Sequence, residues 1–128
     1  MIRWLLVALV MSVAQAVQPA WVWQRDLTLA KEQNYRAKVF LAQAQKPLVM
    51  RWTLYKNYGL VMHIRYDLFN HQTILYQDYQ RSDFVLALGD NPEQKPKLHI
   101  FFKDFADKKA LLRLYIEGEG ASIGEENL

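Results

Sequence analysis

The sequence contains no cysteine among its 128 residues. This absence excludes disulfide bonds, a lipid anchor on an N-terminal cysteine and every metal site built on thiolates. There is also no Asn-x-Ser/Thr sequon, so nothing indicates N-glycosylation along a eukaryotic secretory route. Glycine is scarce, and its only cluster lies in the final segment GEGASIGEENL, so the chain has no glycine-rich phosphate-binding loop.

Motifs for catalysis and metal binding are missing as well. After residue 16 the only serines are Ser82 and Ser122, and neither lies in a Gly-x-Ser-x-Gly setting. His63, His71 and His99 occur singly, without His-x-His or His-Glu-x-x-His spacing. We therefore expect no catalytic residue, no metal site and no cofactor, and we interpret the protein as a non-enzyme.

The N-terminus has the pattern of a secretory signal peptide. Residues 1–3 include a basic side chain, residues 4–13 (WLLVALVMSV) are apolar, and residues 14–16 (AQA) have the small-x-small spacing of a cleavage site. We assign residues 1–16 to this signal, which predicts a mature chain beginning at Val17. An uncleaved anchor is the alternative, because apolar residues resume at 20–23. Polar residues and a proline interrupt that run, however, whereas a span needs roughly 20 consecutive apolar residues.

The predicted location follows from export combined with the lack of cysteine. A small exported domain without disulfides is typical of a bacterial periplasm, so we expect a periplasmic or secreted protein. Loss of Arg3 with the signal leaves 15 basic and 13 acidic residues, a formal charge of +2. So mild a charge in an exported chain excludes nucleic acid as an expected partner. A protein or a cell-envelope component is the expected partner, with membrane contact at most peripheral after cleavage.

Residues 17–117 show the two-residue alternation of β-strands. In the segment 21–29 (WVWQRDLTL) Trp and Leu recur at odd positions while polar residues occupy most even ones. Polar turns separate about seven or eight such segments, the clearest being 90–97 (DNPEQKPK). The pattern predicts an all-β fold, a single antiparallel meander that forms either a small barrel or a two-sheet sandwich. Residues 30–45 fit a strand or a helix, and 118–128 are expected to form a flexible acidic tail.

The stretch RWTLYKNYGLVMHIRYD, residues 51–67, predicts a β-hairpin. Its apolar residues lie at even positions on both sides of the turn, so the two sets share a face only if paired residue numbers have an even sum. We expect a three-residue loop, Asn57-Tyr58-Gly59, with a bulge at the glycine. Paired numbers then sum to 116, which places Trp52 opposite Ile64.

The same register gathers Arg51, Thr53, His63 and Arg65 on the polar face of the hairpin. It places Arg51 opposite Arg65 and Thr53 opposite His63. Two opposed arginines are mildly destabilising unless something offsets their repulsion. One interpretation is an ion pair with Asp67 or Asp78. The other is an anionic ligand or partner, because guanidinium groups beside an imidazole suit phosphate or carboxylate.

A second candidate surface is the segment 76–83 (YQDYQRSD). Tyr76, Tyr79 and Arg81 combine amphipathic aromatic rings with a guanidinium group, a composition typical of recognition surfaces. The alternative is a structured turn in which Arg81 pairs with Asp78 or Asp83.

These observations predict a non-catalytic, exported binding module for an envelope or protein partner. One way for it to bind is to add a strand at an open sheet edge. A small barrel that carries an apolar or anionic ligand is the main alternative. An outer-membrane barrel and a hydrolase are less consistent with the short strands and the missing motifs.

Fractionation tests the predicted export. We expect the protein in the soluble periplasmic fraction of its bacterial cells, because the signal is removed and no second apolar run follows it. Recovery only from detergent-extracted membranes would contradict this prediction and favour the membrane alternatives.

Overall fold

The computed structural model describes residues 21–77 and 81–126, and in this part of the chain it contains nine strands and no helix. The predicted signal peptide, residues 1–16, lies outside the described residues. Within residues 21–77 and 81–126, no helix is long and apolar enough to cross a membrane. The strands are β1 (Trp21–Ala30), β2 (Tyr35–Leu41), β3 (Ala44–Lys56), β4 (Gly59–Tyr66), β5 (Phe69–Tyr76), β6 (Asp83–Ala87), β7 (Lys97–Ala106), β8 (Lys109–Glu117) and β9 (Ala121–Glu126).

The strands form two antiparallel sheets that are not closed into a barrel. One sheet has the order β1-β8-β7-β6 and the other β5-β4-β3-β2-β9. The predicted all-β sandwich is therefore confirmed, while the barrel alternative and the single meander are wrong. Each sheet instead contains its own meander, β2 to β5 and β6 to β8, and the terminal strands β1 and β9 complete opposite sheets. Residues 35–41 are strand, which resolves the choice left open for that segment.

The core lies between the sheets because each strand turns alternate side chains inward. In β2 the residues Tyr35, Ala37 and Val39 are buried while their neighbours are exposed. The same alternation continues in β8, where Ala110 to Ile116 are buried at every second position. Bulky side chains such as Phe102 occupy this interior.

A hydrogen bond from Trp52 joins the two sheets directly. The indole Nε1 donates to the backbone carbonyl of Leu29 at 2.8 Å, and both residues are almost fully buried. The carbonyl of Trp52 in turn accepts a hydrogen bond from the backbone N–H of Glu32 at 2.9 Å. Through these two bonds β3 holds the end of β1 and the turn that leads into β2.

The β3–β4 hairpin has a different register from the predicted one, and β3 contains a bulge. The β3–β4 turn has two residues, Asn57 and Tyr58, both at positive φ (53° and 63°), and Lys56 pairs with Gly59. The predicted three-residue loop is therefore wrong. One extra residue is inserted at Thr53, between Trp52 and Leu54, so paired numbers sum to 114 beyond it. Apart from Leu54, which lies beyond the bulge and is exposed, the apolar sets share a face as expected, but by a tight turn plus a bulge rather than by an odd loop.

The corrected register changes the pairs that were expected on the polar face. Arg51 is the Cα partner of His63, and Arg65 is the Cα partner of Val49. Trp52 pairs with Met62 rather than Ile64. The predicted opposition of Arg51 to Arg65 is therefore wrong, because the two-residue turn and the bulge each lower the sum of the paired residue numbers by one.

A matching bulge in β7, between Phe102 and Asp104, lies at the same end of the sandwich. Beyond the two bulges the inward and outward positions exchange, so Tyr55 and Phe105 turn toward the core while Leu54 is exposed. The rings of Tyr55 and Phe105 stack with centroids 3.9 Å apart. The bulges thus close this end of the sandwich with an aromatic pair.

The segment predicted as a flexible acidic tail contains a strand. Residues 121–126 form β9, which pairs with β2 along its whole length. Gly118 and Gly120 have φ of +93° and +98°, which side chains rarely adopt, and they reverse the chain between β8 and β9. Arg25 Nε lies 3.1 Å from a carboxylate oxygen of Glu125, so an ion pair links β1 to β9 across the sheets. A polar composition suggested fraying, but the backbone partner that β2 offers was not visible in the local pattern.

The inter-sheet bond can be tested with Trp52→Phe. The variant keeps an aromatic ring but removes the donor to the buried carbonyl of Leu29. We expect the free energy of unfolding to fall by about 1–3 kcal/mol, the cost of losing a buried hydrogen bond and leaving its acceptor unsatisfied. Urea denaturation followed by circular dichroism measures the change.

Trp23→Phe is the matched control. Trp23 packs against the core, but its indole makes no hydrogen bond within the described residues. An equal loss of stability in both variants would show that ring size, and not the hydrogen bond, accounts for the effect at Trp52.

Candidate functional site

The candidate site lies on the outer face of the five-stranded sheet. Arg36, Val49, Arg65 and Asn70 are successive Cα partners and form one row across β2, β3, β4 and β5. The arginines are exposed because each lies between two inward-facing residues of its strand. The row therefore places two guanidinium groups two strands apart on the same surface.

A second row brings a third arginine to the same surface. Arg51, His63 and Gln72 are successive Cα partners on β3, β4 and β5. Arg51 lies two residues along β3 from Val49, so it is diagonal to both Arg36 and Arg65. The three arginines, Arg36, Arg51 and Arg65, are named the arginine triad below.

The triad lines an open concavity of about 620 Å³. The remaining lining is mostly polar and uncharged, and consists of Asn34, Val49, His63, Ile64, Asn70, His71 and Gln72. The amide side chains offer hydrogen-bond donors and acceptors next to the guanidinium groups. A surface of this composition suits a ligand with negative charge and several oxygen atoms.

No arginine of the triad has an ion pair within residues 21–77 and 81–126. The predicted alternative partner Asp67 lies in the β4–β5 turn, where its N–H donates to the carbonyl of Pro47, and it pairs with no arginine among the described residues. Asp78 lies outside the described residues. Glu126 is the Cα partner of Arg36, but its carboxylate lies 3.8 Å from Lys38 Nζ. The positive charge of the triad is thus not compensated by the carboxylates described nearby.

His63 is oriented by Thr53. The Thr53 hydroxyl lies 3.0 Å from His63 Nε2 and shares a hydrogen bond with it. The two residues are not the directly opposed pair that the predicted register required, because Thr53 is the extra residue of the bulge. The bulge nevertheless brings the hydroxyl to the ring, so the expected contact exists by a different route. The structure therefore unites Arg51, Thr53, His63 and Arg65 on one face.

In the described part of the second predicted surface, Tyr76 and Arg81 contact each other. The guanidinium of Arg81 lies over the Tyr76 ring, 4.2 Å from its centroid, and the Arg81 carbonyl accepts from the Tyr76 N–H at 2.9 Å. Tyr79 lies outside the described residues. Neither Tyr76 nor Arg81 lines the concavity of the triad, so the structure separates the two predicted sets.

Arg36 is the main residue that sequence reasoning missed. Its exposure was readable, because it lies between Tyr35 and Ala37 in an alternating segment. Its place in the site was not readable, because no local pattern shows that β2 pairs with β3 so that Arg36 meets Val49. Asn70 and Gln72 on β5 were missed for the same reason.

The outer face of the other sheet differs from the triad, since several of its charges are paired. Arg113 Nε donates to Asp26 at 2.8 Å, and Lys103 Nζ lies 3.4 Å from the same carboxylate. The hydrogen bond from Arg113, together with the charges of Arg113 and Lys103, lowers the pKa of Asp26 to about 2. Glu117 accepts from His99 and lies near Lys95, and these contacts lower its pKa as well. These exposed pairs neutralise part of the charge on that sheet.

A second, more apolar cleft opens between the edge strands β5 and β6, with a volume of about 730 Å³. Its apolar lining includes Phe69, Phe84 and Val85. The hydroxyl of Tyr66 donates to the Leu88 carbonyl at 2.6 Å, and burial raises the pKa of this tyrosine. His71 lines both this cleft and the concavity of the triad, so the two surfaces meet at β5.

A metal centre is not formed by the described residues, among which no three His, Asp or Glu side chains gather closely enough to hold an ion. Comparison with protein-family models, curated proteins and solved structures finds no match to this chain. Function is therefore inferred from the geometry of the site.

The pH dependence of stability tests the pairing of Asp26. Its folded pKa of about 2 lies below the ordinary value of 3.8, so the ionised carboxylate stabilises the fold above about pH 4. That contribution is lost as the pH falls through about 2. We expect Asp26→Asn to be less stable than the wild type at neutral pH, with the difference shrinking toward pH 2 in urea unfolding.

Asp107→Asn is the control, since Asp107 lies in the β7–β8 turn, has no ion pair among the described residues and has a positive φ that asparagine accepts. A wild-type advantage over Asp26→Asn that stays constant from neutral pH to pH 2 would contradict the pairing.

Proposed function

We propose that the protein is an exported, non-catalytic binding module that recognises an anionic partner of the cell envelope through the outer face of its five-stranded sheet. The observation that carries the proposal is the arginine triad, three exposed guanidinium groups without a carboxylate partner in the described structure.

The energetics of the triad support binding. Like charges on neighbouring strands oppose folding slightly, by a few tenths of a kcal/mol per close pair. An ion pair offsets such a cost on the other sheet, where Asp26 accepts from Arg113. On the triad face an anion from another molecule would play this part. Each guanidinium offers several donors in a plane, which matches phosphate or carboxylate oxygens.

The chemistry around the triad supports recognition rather than reaction. Thr53 and His63 are in hydrogen-bond contact, which a nucleophile and base require. No carboxylate contacts the second ring nitrogen of His63 within the described residues, so the third group that orients such a base is missing there. The surface is also open, whereas catalytic sites usually exclude water.

The carrier alternative receives less support. A barrel with a central cavity would house an apolar ligand, but the two sheets are not closed and large buried side chains occupy the space between them. A small anion at the triad remains compatible with the proposal, as one form of its ligand.

Arg65→Glu tests the proposed site. The substitution reverses one charge of the triad at an exposed position, so we expect the free energy of unfolding to stay unchanged or to rise. Binding of tripolyphosphate, measured by isothermal titration calorimetry, should fall at least tenfold, because one attraction becomes a repulsion.

Lys109→Glu changes the net charge equally on the other sheet, at an exposed residue without an ion pair in the described part of the chain. Its binding should match the wild type. If Arg65→Glu lost stability while tripolyphosphate binding stayed intact, Arg65 would be a structural residue and the proposed site would be wrong.

A further inference from the structure

Two large apolar side chains are exposed next to the triad. Leu68 and Phe69, in and directly after the β4–β5 turn, are 77% and 66% exposed. The turn is closed by the pair Tyr66 and Phe69, and the next pair along the strands is Arg65 and Asn70. The apolar turn and the first row of arginines are therefore adjacent along the strands, with Phe69 on the inner side of the sheet beside Tyr66 and Arg65 on the outer face.

A third exposed apolar side chain lies toward the same end of the sheet. The β2–β3 hairpin extends beyond the β4–β5 turn and presents Phe40, which is 38% exposed, on the outer face. Lys38 lies between Phe40 and Arg36 on the same face of β2 and is half exposed. Phe40, Leu68 and Phe69 thus all lie toward the same end of the sheet, beyond the row that contains Arg36 and Arg65.

We propose that this end of the five-stranded sheet docks on the surface of an anionic lipid bilayer. Leu68 and Phe69 enter the interfacial region, while Arg36 and Arg65 bind lipid phosphates beside them. The inference rests on the proposed function, whose anionic partner it identifies as a membrane.

The spacing of the arginines favours a surface with many phosphates over one small anion. Neighbouring strands lie about 4.8 Å apart, so the Cα atoms of Arg36 and Arg65 are roughly 10 Å apart across Val49. Arg51 lies two residues farther from the turn, or about 7 Å along the strand. A headgroup layer offers separate phosphates at such distances, and exposed apolar residues among arginines are typical of interfacial membrane binding.

The apolar turn separates this proposal from binding of a soluble anion. A dissolved phosphate would not use Leu68 or Phe69, and it would contact Arg51 as well as the first row. On a bilayer the row next to the turn lies closest to the lipid, so Arg36 and Arg65 should contribute more than Arg51. The relative contributions of the three arginines to binding therefore distinguish a bilayer from a soluble anion.

Vesicle co-sedimentation of the full chain provides the test. The probes are vesicles of phosphatidylcholine alone and of phosphatidylcholine mixed with an equal amount of phosphatidylglycerol. We expect binding to the anionic vesicles to exceed binding to neutral ones at least tenfold and to weaken with added salt. The N-terminal apolar segment is common to every variant, and the neutral vesicles report its contribution.

Substitutions measure the contributions of the apolar turn and of the arginines separately. We expect the double change Leu68→Ser and Phe69→Ser to lower the partition coefficient tenfold or more, because two apolar side chains no longer enter the interface. Arg36→Gln and Arg65→Gln should each lower it roughly fivefold, and Arg51→Gln should lower it less. Tyr58→Ser is the matched control, since Tyr58 is 73% exposed in the β3–β4 turn at the other end of β4.

Each outcome distinguishes the two proposals, provided that circular dichroism shows every variant folded. Equal binding to both kinds of vesicle, or equal losses in the turn variant and in Tyr58→Ser, would overturn membrane docking. Arginine-dependent binding of tripolyphosphate, or of a soluble acidic protein, without vesicle binding would overturn docking and leave the proposed function standing. Vesicle binding that survives all three arginine substitutions would overturn both.

Discussion

The hydrogen bond from the Trp52 indole to the Leu29 carbonyl ties the two sheets together, and the arrangement of the polar face follows from it. Trp52 must face inward to make this bond. The bulge lies at the next residue, Thr53. Because of this bulge, Trp52 and Tyr55 both face the core. A regular strand would turn Leu54 inward instead, because side chains alternate. On the outer face the extra residue brings the Thr53 hydroxyl to His63.

The two outer faces of the sandwich differ in how their charged side chains are paired. On the four-stranded sheet Asp26 lies between Arg113 and Lys103, so the charges compensate each other. On the five-stranded sheet Arg36 and Arg65 lie in one row with only Val49 between them. Since exposed pairs contribute little to stability, neither arrangement decides whether the protein folds. The proposed binding function rests on this difference between the two faces.

The arginine triad and the apolar turn indicate a specific kind of partner only when they are considered together. An uncompensated cluster of guanidinium groups is a general anion-binding surface, and an exposed Leu68 or Phe69 alone is an ordinary feature of a protein surface. They are adjacent along the strands because Tyr66 pairs with Phe69 and Arg65 with Asn70, which places Phe69 on the inner side and Arg65 on the outer face of the same sheet end. A surface that combines charge with apolar side chains at its edge has the composition expected at a lipid interface.

The sequence alone was sufficient for the local features. Alternating apolar residues identified the strands, the sandwich as one of two architectures, and the outward direction of Arg51, His63 and Arg65, because the period of two is a property of each strand by itself. The chain's own composition also excluded thiolate sites and disulfides.

Only the tertiary structure decided which outward residues meet. The bulge at Thr53 replaced the expected pairing of Arg51 with Arg65 by that of Arg51 with His63, since parity admits any even sum and does not choose among them. Arg36 joined the triad because β2 pairs with β3, and residues 121–126 became a strand because β2 had a second free edge. Strand neighbours depend on backbone hydrogen bonds between distant segments, whereas the sequence pattern records only which side of a strand each residue occupies.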